Sequence, residues 1–90
     1  MNSKFIAEQS QALAVRMVNA KETEEDQLRW LFQLLYARNI AQEELQETKS
    51  FLRNYRQTTD ISSATPETTL REYQALCRVL LTSNEFFFID

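Results

Sequence analysis

Hydrophobic side chains recur every three or four positions in four stretches of this 90-residue chain, and polar breaks separate the stretches. This recurrence matches the 3.6-residue period of an amphipathic α-helix. The pattern predicts helices over about residues 3–20, 24–37, 41–57 and 66–84. Because short connections favour packing between neighbouring helices, we predict a small all-α domain that resembles a four-helix bundle.

The second predicted helix has the widest apolar surface. Its apolar positions are Leu28, Trp30, Leu31, Phe32, Leu34, Leu35 and Tyr36. Since they extend beyond a single stripe, we expect this helix to be the central one. The start of the fourth helix is the most sharply marked, because Thr65 suits an N-cap and Pro66 suits the first helical position.

The composition strengthens the helical prediction and excludes several kinds of site. The chain has no Gly, one Pro, no His and one Cys. Tight turns of strand-rich folds depend on Gly, so its absence favours an all-helical fold. Without His, the usual ligand sets for zinc, copper and haem and the usual nucleophile pairs are missing. We therefore predict no metal, no cofactor, no catalytic residues and no enzyme activity for the chain on its own.

The length and charge limit the domain organisation and the classes of partner. Ninety residues predict a single helical domain over 1–90. A formal net charge of −3 argues against nucleic acid as a partner, which requires a basic surface. No apolar run approaches the roughly 20 residues that span a bilayer. The first 17 residues alternate polar and apolar positions, so we predict no targeting signal in this chain.

Two sequence patterns resemble catalytic sites, but we interpret each of them as structural. Cys77 falls on the apolar face of the fourth helix without a His or Lys nearby to lower its pKa, so we expect a buried structural thiol. The acidic runs Glu22–Asp26 and Glu43–Glu47 lie at predicted helix starts, where the helix dipole favours carboxylates.

The end of the sequence carries an unusual aromatic run, and we predict a docking or packing element there. Its residues are Asn84, Glu85, Phe86, Phe87 and Phe88. The run suits a groove on a partner protein, and it equally suits the open end of the first two helices of its own chain. We favour the intrachain alternative, because burying a Phe side chain contributes about 1.5–3 kcal/mol to the stability of a small domain.

Arg38 and Glu85 each lie at a predicted helix boundary beside apolar residues. We hypothesise that they form a buried or half-buried ion pair that links the second connection to the C-terminal segment. The alternative is two independent solvated charges. Substitution of Arg38 discriminates between these alternatives, because breaking a buried pair destabilises a protein by about 3–5 kcal/mol.

Three stretches of the chain resemble one known family in order and spacing. They read NSKFIAEQSQALAVRM, ARNIAQEELQETKSFL and LCRVLLTSNEFFFID. The family is the C-terminal part of Planctomycete Secreted Domain One, a domain of unknown function found in large planctomycete proteins. The positions that match the family pattern are Asn2, Phe5, Ala14, Arg16, Arg38, Glu43, Glu44, Leu45, Leu80, Leu81, Ser83, Asn84, Glu85 and Phe86. The chain departs from that pattern at Ala37, Asn39, Ile40 and Thr82, where the family has Gly, two Pro and Asn.

The resemblance implies that this chain is the C-terminal part of a larger periplasmic or secreted polypeptide. Its partner would be the remainder of that polypeptide or another protein. Relatives often carry a haem-binding region upstream, and the family supplies no catalytic residues to transfer.

The first hypothesis for function is accordingly a non-enzymatic helical structural or interaction module of a larger extracytoplasmic protein. Two alternatives remain open. The chain completes the fold of an enzyme domain in the parent protein, or it is a free-standing adaptor that dimerises through Trp30 and Tyr36.

Overall fold

The computed structural model of the chain describes residues 3–59 and 65–83. Four α-helices make up most of these residues: α1 Ser3–Ala20, α2 Glu24–Tyr36, α3 Gln42–Thr58 and α4 Pro66–Thr82. No strand occurs in the described ranges, so the predicted all-α fold is confirmed. The predicted docking element, Asn84 to Phe88, lies outside the described residues.

The second helix ends one residue earlier than predicted, at Tyr36. Ala37 follows it with left-handed backbone angles, φ 55° and ψ 37°, and donates its N–H to the carbonyl oxygen of Gln33. This geometry closes many helices and usually falls to Gly. In a chain without Gly an alanine takes the position, at about 1–2 kcal/mol of backbone strain.

The other boundaries also differ slightly from the prediction. The third helix begins at Gln42 instead of 41, because the Glu44 carboxylate accepts a hydrogen bond of 2.9 Å from the Ala41 N–H and fixes that residue as the N-cap. The helix ends at Thr58 instead of 57. The fourth helix stops at Thr82, short of the predicted 84, because Ser83 has extended backbone angles.

The start of α4 confirms the prediction from Thr65 and Pro66. The Thr65 hydroxyl oxygen accepts a 3.1 Å hydrogen bond from the Thr68 N–H, and Pro66 is the first helical residue. The Thr68 hydroxyl in turn lies 2.8 Å from the Thr65 N–H and accepts its hydrogen bond. Two N–H groups that the helix itself leaves without a partner are thereby satisfied.

The helices contact one another in a ring, in which each packs on its neighbours in sequence and α4 packs on α1. The α1–α4 pair is the most extensive contact. The expectation that the second helix would be central is therefore wrong. Only one stripe of α2 is buried, and Leu34 on its other side is 44% exposed.

The core lies among all four helices. Its buried apolar side chains are Leu13, Ala14, Met17, Leu28, Leu31, Phe32, Ile40, Leu45, Leu52, Tyr73, Leu76 and Cys77. Met17 and Cys77 join α1 to α4 through a sulfur–sulfur distance of 3.7 Å. Within the described residues, no helix combines the length and the apolar character that a membrane crossing requires.

Candidate functional site

The outer face of α4 carries two arginines. Arg71 and Arg78 are separated by two helical turns, so they lie on one face about 10.5 Å apart along the helix axis. Gln74 lies between them on the same face. Both arginines are exposed. We call the row Arg71, Gln74 and Arg78 the arginine ridge.

A groove lies on each side of the arginine ridge. The first, between α1 and α4, has a volume of about 300 Å³ and is lined by Gln11, Ala14, Val15, Glu67, Leu70, Arg71 and Gln74. The second, between α3 and α4, has a volume of about 240 Å³ and is lined by Tyr55, Arg71, Gln74, Ala75 and Arg78. The ridge therefore supplies cationic walls to both grooves, while the flanking helices supply apolar side chains.

The positive charge of the ridge is not compensated within the described part of the chain. Neither Arg71 nor Arg78 has a carboxylate within ion-pair distance there. Four other cationic residues do bind carboxylates, namely Arg29, Arg38, Lys49 and Arg56. Glu67 lines the first groove and bounds the positive surface at the start of α4. An uncompensated cationic ridge attracts acidic partners.

An ion-pair cluster around the buried carboxylate of Glu72 joins α4 to two other helices. Arg56 Nε donates to Glu72 Oε1 at 2.7 Å, and Arg56 Nη2 donates to Glu24 Oε2 at 3.2 Å. The Glu72 side chain is only 2% exposed. Because the three residues belong to α2, α3 and α4, one guanidinium joins three helices. We call these three residues the Arg56 network.

A second polar link lies beside this network. The Tyr73 hydroxyl donates to Gln27 Oε1, and Gln27 Nε2 donates to the Lys21 carbonyl oxygen at 2.8 Å. Burial, together with the charges of Glu24 and Glu72, raises the pKa of Tyr73 to about 12. Tyr73 therefore remains a neutral donor, and the two links orient α4 so that its arginines face outward.

The sequence analysis missed both the ridge and the Arg56 network. The burial of Glu72 could have been predicted, because Glu72 precedes Leu76 by four residues and so lies on the apolar side of α4. The seven-residue spacing of Arg71 and Arg78 could likewise have shown that the two arginines share one face of that helix.

Arg38 binds Glu44 in the structure. Its Nη1 and Nη2 atoms donate to the two carboxylate oxygens, both at 2.7 Å. The guanidinium also lies 5.2 Å from the ring centre of Tyr36 and 5.9 Å from that of Phe32. The hydrogen bond from Arg38 lowers the pKa of Glu44 below its usual 4.5. Glu85 lies outside the described residues, so the predicted Arg38–Glu85 pair stays a prediction.

Cys77, Trp30 and Tyr36, which the sequence analysis also named, are wholly or partly buried. Cys77 is fully buried, as predicted, and burial raises the pKa of its thiol to about 12. Trp30 and Tyr36 are half-buried, with Arg16 lying 5.4 Å above the Trp30 ring and Phe32 lying 5.2 Å from the Tyr36 ring. In the ranges 3–59 and 65–83, no group of three or more His, Cys, Asp or Glu residues is arranged to hold a metal ion.

No protein-family model, no curated protein and no solved structure matches this chain. The resemblance to the planctomycete domain therefore remains a prediction. Function has to be inferred from the surfaces of the chain itself, of which the arginine ridge is the most distinctive.

Proposed function

We propose that this chain is a non-enzymatic helical interaction module, and that the arginine ridge with its two grooves is its docking surface. The proposal rests on one observation. Arg71 and Arg78 are exposed and lack an ion-pair partner among the described residues, although the chain as a whole has a net charge of −3. The occupant that this surface suits is a polypeptide segment with acidic and apolar side chains.

The spacing of the ridge supports an extended segment. The two arginines lie about 10.5 Å apart along the helix axis. In an extended polyproline II conformation, which has three residues per turn, carboxylates three residues apart share one face and lie about 9 Å apart along the chain, so they can face both arginines at once. The residues between them would meet the apolar sides of the grooves, where Val15 is 42% exposed. We expect shallow docking, with a Kd on the order of 0.1 mM, or about 5.5 kcal/mol.

The chemistry of the buried groups supports the non-enzymatic part of the proposal. A nucleophilic cysteine needs a lowered pKa, and the pKa of Cys77 is raised by burial. The carboxylate of Glu72 is held by Arg56 and is closed off from solvent. Neither group lines the two grooves.

We propose that the docked segment belongs to the remainder of a larger extracytoplasmic polypeptide, as the resemblance implies. The size of the native polypeptide tests this source. An immunoblot with an antibody against the chain should show a band much larger than 10.6 kDa. A band near 10.6 kDa would instead place the segment on a separate protein.

Peptide binding tests the docking surface. A fluorescein-labelled peptide with a Glu-Leu-Leu-Glu core should bind the chain, as measured by fluorescence polarisation, and the double variant Arg71→Glu/Arg78→Glu should abolish binding. Lys21→Glu/Arg53→Glu is the matched control, because it changes the net charge by the same amount and both residues are exposed and lack an ion pair among the described residues. A peptide with a Lys-Leu-Leu-Lys core should not bind.

Two results would contradict the proposal. Equal binding of the two peptides would show that the arginines do not select the ligand. An equal loss of binding in Lys21→Glu/Arg53→Glu would show that net charge, and not the ridge, is responsible. Sedimentation over a range of concentrations tests the alternative adaptor, which requires a dimer dependent on Trp30 and Tyr36.

A further inference from the structure

The groove between α3 and α4 contains side chains that can bind more than carboxylates. Besides Arg71 and Arg78, it is lined by Tyr55, Gln74 and Ala75. Tyr55 and Gln74 are half-buried, and neither side chain forms a hydrogen bond with a described residue. The groove therefore offers a hydroxyl and a carboxamide that can both donate hydrogen bonds, in addition to the charges of the ridge.

The ring of Tyr55 forms an aromatic wall of this groove. The Phe51 ring lies one turn earlier on α3, with 6.4 Å between the ring centres and 22° between the ring planes, so the two rings stack. Phe51 in turn packs against the hydrophobic core. Because this contact holds Tyr55 on one side, the part of its ring that lines the groove can pack against an apolar ring of a ligand.

Gln74 lies midway along the ridge. It follows Arg71 by three residues and precedes Arg78 by four, so the three side chains share one face of α4. The backbone of a segment whose carboxylates meet both arginines therefore passes over Gln74. The side-chain amide can donate to a backbone carbonyl oxygen there, provided that this oxygen is not already hydrogen-bonded within the segment.

Of the strand, the α-helix and the polyproline II helix, only the last has both the spacing of the ridge and free carbonyl groups. In a strand, residues three apart lie on opposite faces. In an α-helix, acidic residues seven apart match the spacing of about 10.5 Å, but the helix uses its carbonyl groups for its own hydrogen bonds. A polyproline II segment has no internal hydrogen bonds, and its residues three apart share a face.

We propose that the docked segment contains proline between its two acidic residues, and that Tyr55 and Gln74 recognise it. A proline ring packs on Tyr55, while Gln74 and the Tyr55 hydroxyl donate to backbone carbonyl oxygens. Because proline fixes φ near about −65°, it holds the segment in the polyproline II conformation before docking and reduces the entropy lost on binding. Aromatic-lined grooves bind proline-rich segments in this way. The inference rests on the proposed function and deepens it by naming the residue type and conformation of the partner.

Two peptides with the same charge test the inference. One has a Glu-Pro-Pro-Glu core and the other a Glu-Val-Val-Glu core, and both carry fluorescein. Valine is apolar and favours strands, so a surface that selects only for charge and apolar area should not prefer proline over it. By fluorescence polarisation with the full chain, we expect the proline peptide to bind about fivefold more tightly, because two prolines restrict the unbound peptide.

Substitutions of the two donors test how the segment is recognised. Gln74→Met and Tyr55→Phe keep most of each side chain and remove the hydrogen-bond donor, so each should weaken binding of the proline peptide about threefold. Gln46→Met is the matched control, because Gln46 is exposed on α3 and lines neither groove. It should leave the Kd unchanged, whereas Arg71→Glu/Arg78→Glu should abolish binding of both peptides.

The outcomes separate this inference from the proposed function. Equal binding of the two peptides, abolished in both cases by Arg71→Glu/Arg78→Glu, would leave the docking surface intact and overturn the preference for proline. Absence of binding by either peptide would overturn both the docking surface and the inference. An unchanged Kd in Gln74→Met and Tyr55→Phe would overturn the role of the two donors. Tighter binding by a helical peptide with acidic residues seven apart would assign the ridge to a helix instead.

Discussion

The two sides of the ion pair between Arg56 and Glu72 should contribute unequally to stability. Glu72 is 2% exposed, whereas Arg56 is 40% exposed and also binds Glu24. Removing Arg56 leaves a carboxylate buried without its cationic partner. Neutralising Glu72 leaves an arginine that still has Glu24 and water. The cost of each substitution is set by the group that stays behind.

The exposures give a magnitude for this asymmetry. Breaking a buried pair destabilises a protein by about 3–5 kcal/mol. Because Arg56 is partly solvated, we take the lower end and expect Arg56→Met to destabilise by about 3 kcal/mol. Glu72→Gln keeps the shape and an oxygen that accepts from Arg56 Nε, so about 1 kcal/mol is expected. The difference of about 2 kcal/mol is large against a typical total stability of about 5–15 kcal/mol.

Urea unfolding followed by circular dichroism at about pH 7 measures both effects through the linear dependence of unfolding free energy on denaturant. Arg53→Met is the control, and as a substitution of an exposed residue it should change stability by less than about 0.5 kcal/mol. Arg56→Met/Glu72→Leu should be more stable than Arg56→Met alone, because no buried carboxylate remains. If Glu72→Gln destabilised the chain as much as Arg56→Met, the reasoning from burial would be refuted.

Three further predictions concern stability. Arg38→Ala should destabilise by about 1 kcal/mol near pH 7. Arg38 lowers the pKa of Glu44, so the deficit should become smaller as the pH falls through that pKa, because protonated Glu44 no longer attracts the guanidinium. The contacts of Arg38 with the Tyr36 and Phe32 rings do not depend on this titration and keep part of the deficit. A deficit in urea unfolding that is constant with pH would contradict the prediction. Ser10→Ala should stabilise by about 1 kcal/mol, because the buried Ser10 hydroxyl has no hydrogen-bond partner among the described residues; exposed Ser50→Ala is the control in the same urea assay. Ala37→Gly should raise the melting temperature by relieving a φ of 55°, and a lower one would show that the flexibility of Gly in the unfolded chain outweighs that relief.

Local patterns in the sequence predicted the helices well because helices form from contacts between residues three and four apart. Thr65 and Pro66 marked the start of α4 correctly for the same reason. The end of α2 was missed because Ala37 adopts a left-handed conformation that the sequence signals usually assign to Gly. The width of the apolar surface on α2 was misleading, since Trp30, Leu35 and Tyr36 widen that surface although they are only half-buried.

The candidate site could not be predicted from local sequence patterns, because it depends on contacts between residues that are far apart in the chain. Arg56 and Glu24 are 32 residues apart, and Tyr73 and Gln27 are 46 apart. Whether an arginine is paired depends on which acids the fold brings near it, so the sequence did not show that Arg71 and Arg78 lack an ion pair among residues 3–59 and 65–83. The burial of Cys77 was predictable, because it needed only the apolar face of one helix.

Substitutions at adjacent positions of α4 should affect either stability or binding, but not both. Glu72 points inward and is held by Arg56, whereas Arg71 points outward and binds no carboxylate among the described residues. Reversing the charge of Arg71 should therefore leave the Arg56 network intact. Conversely, Arg56→Met should weaken the fold without changing the side chains of the ridge. A loss of peptide binding in Arg71→Glu/Arg78→Glu at unchanged unfolding free energy would consequently report on the docking surface and not on the fold.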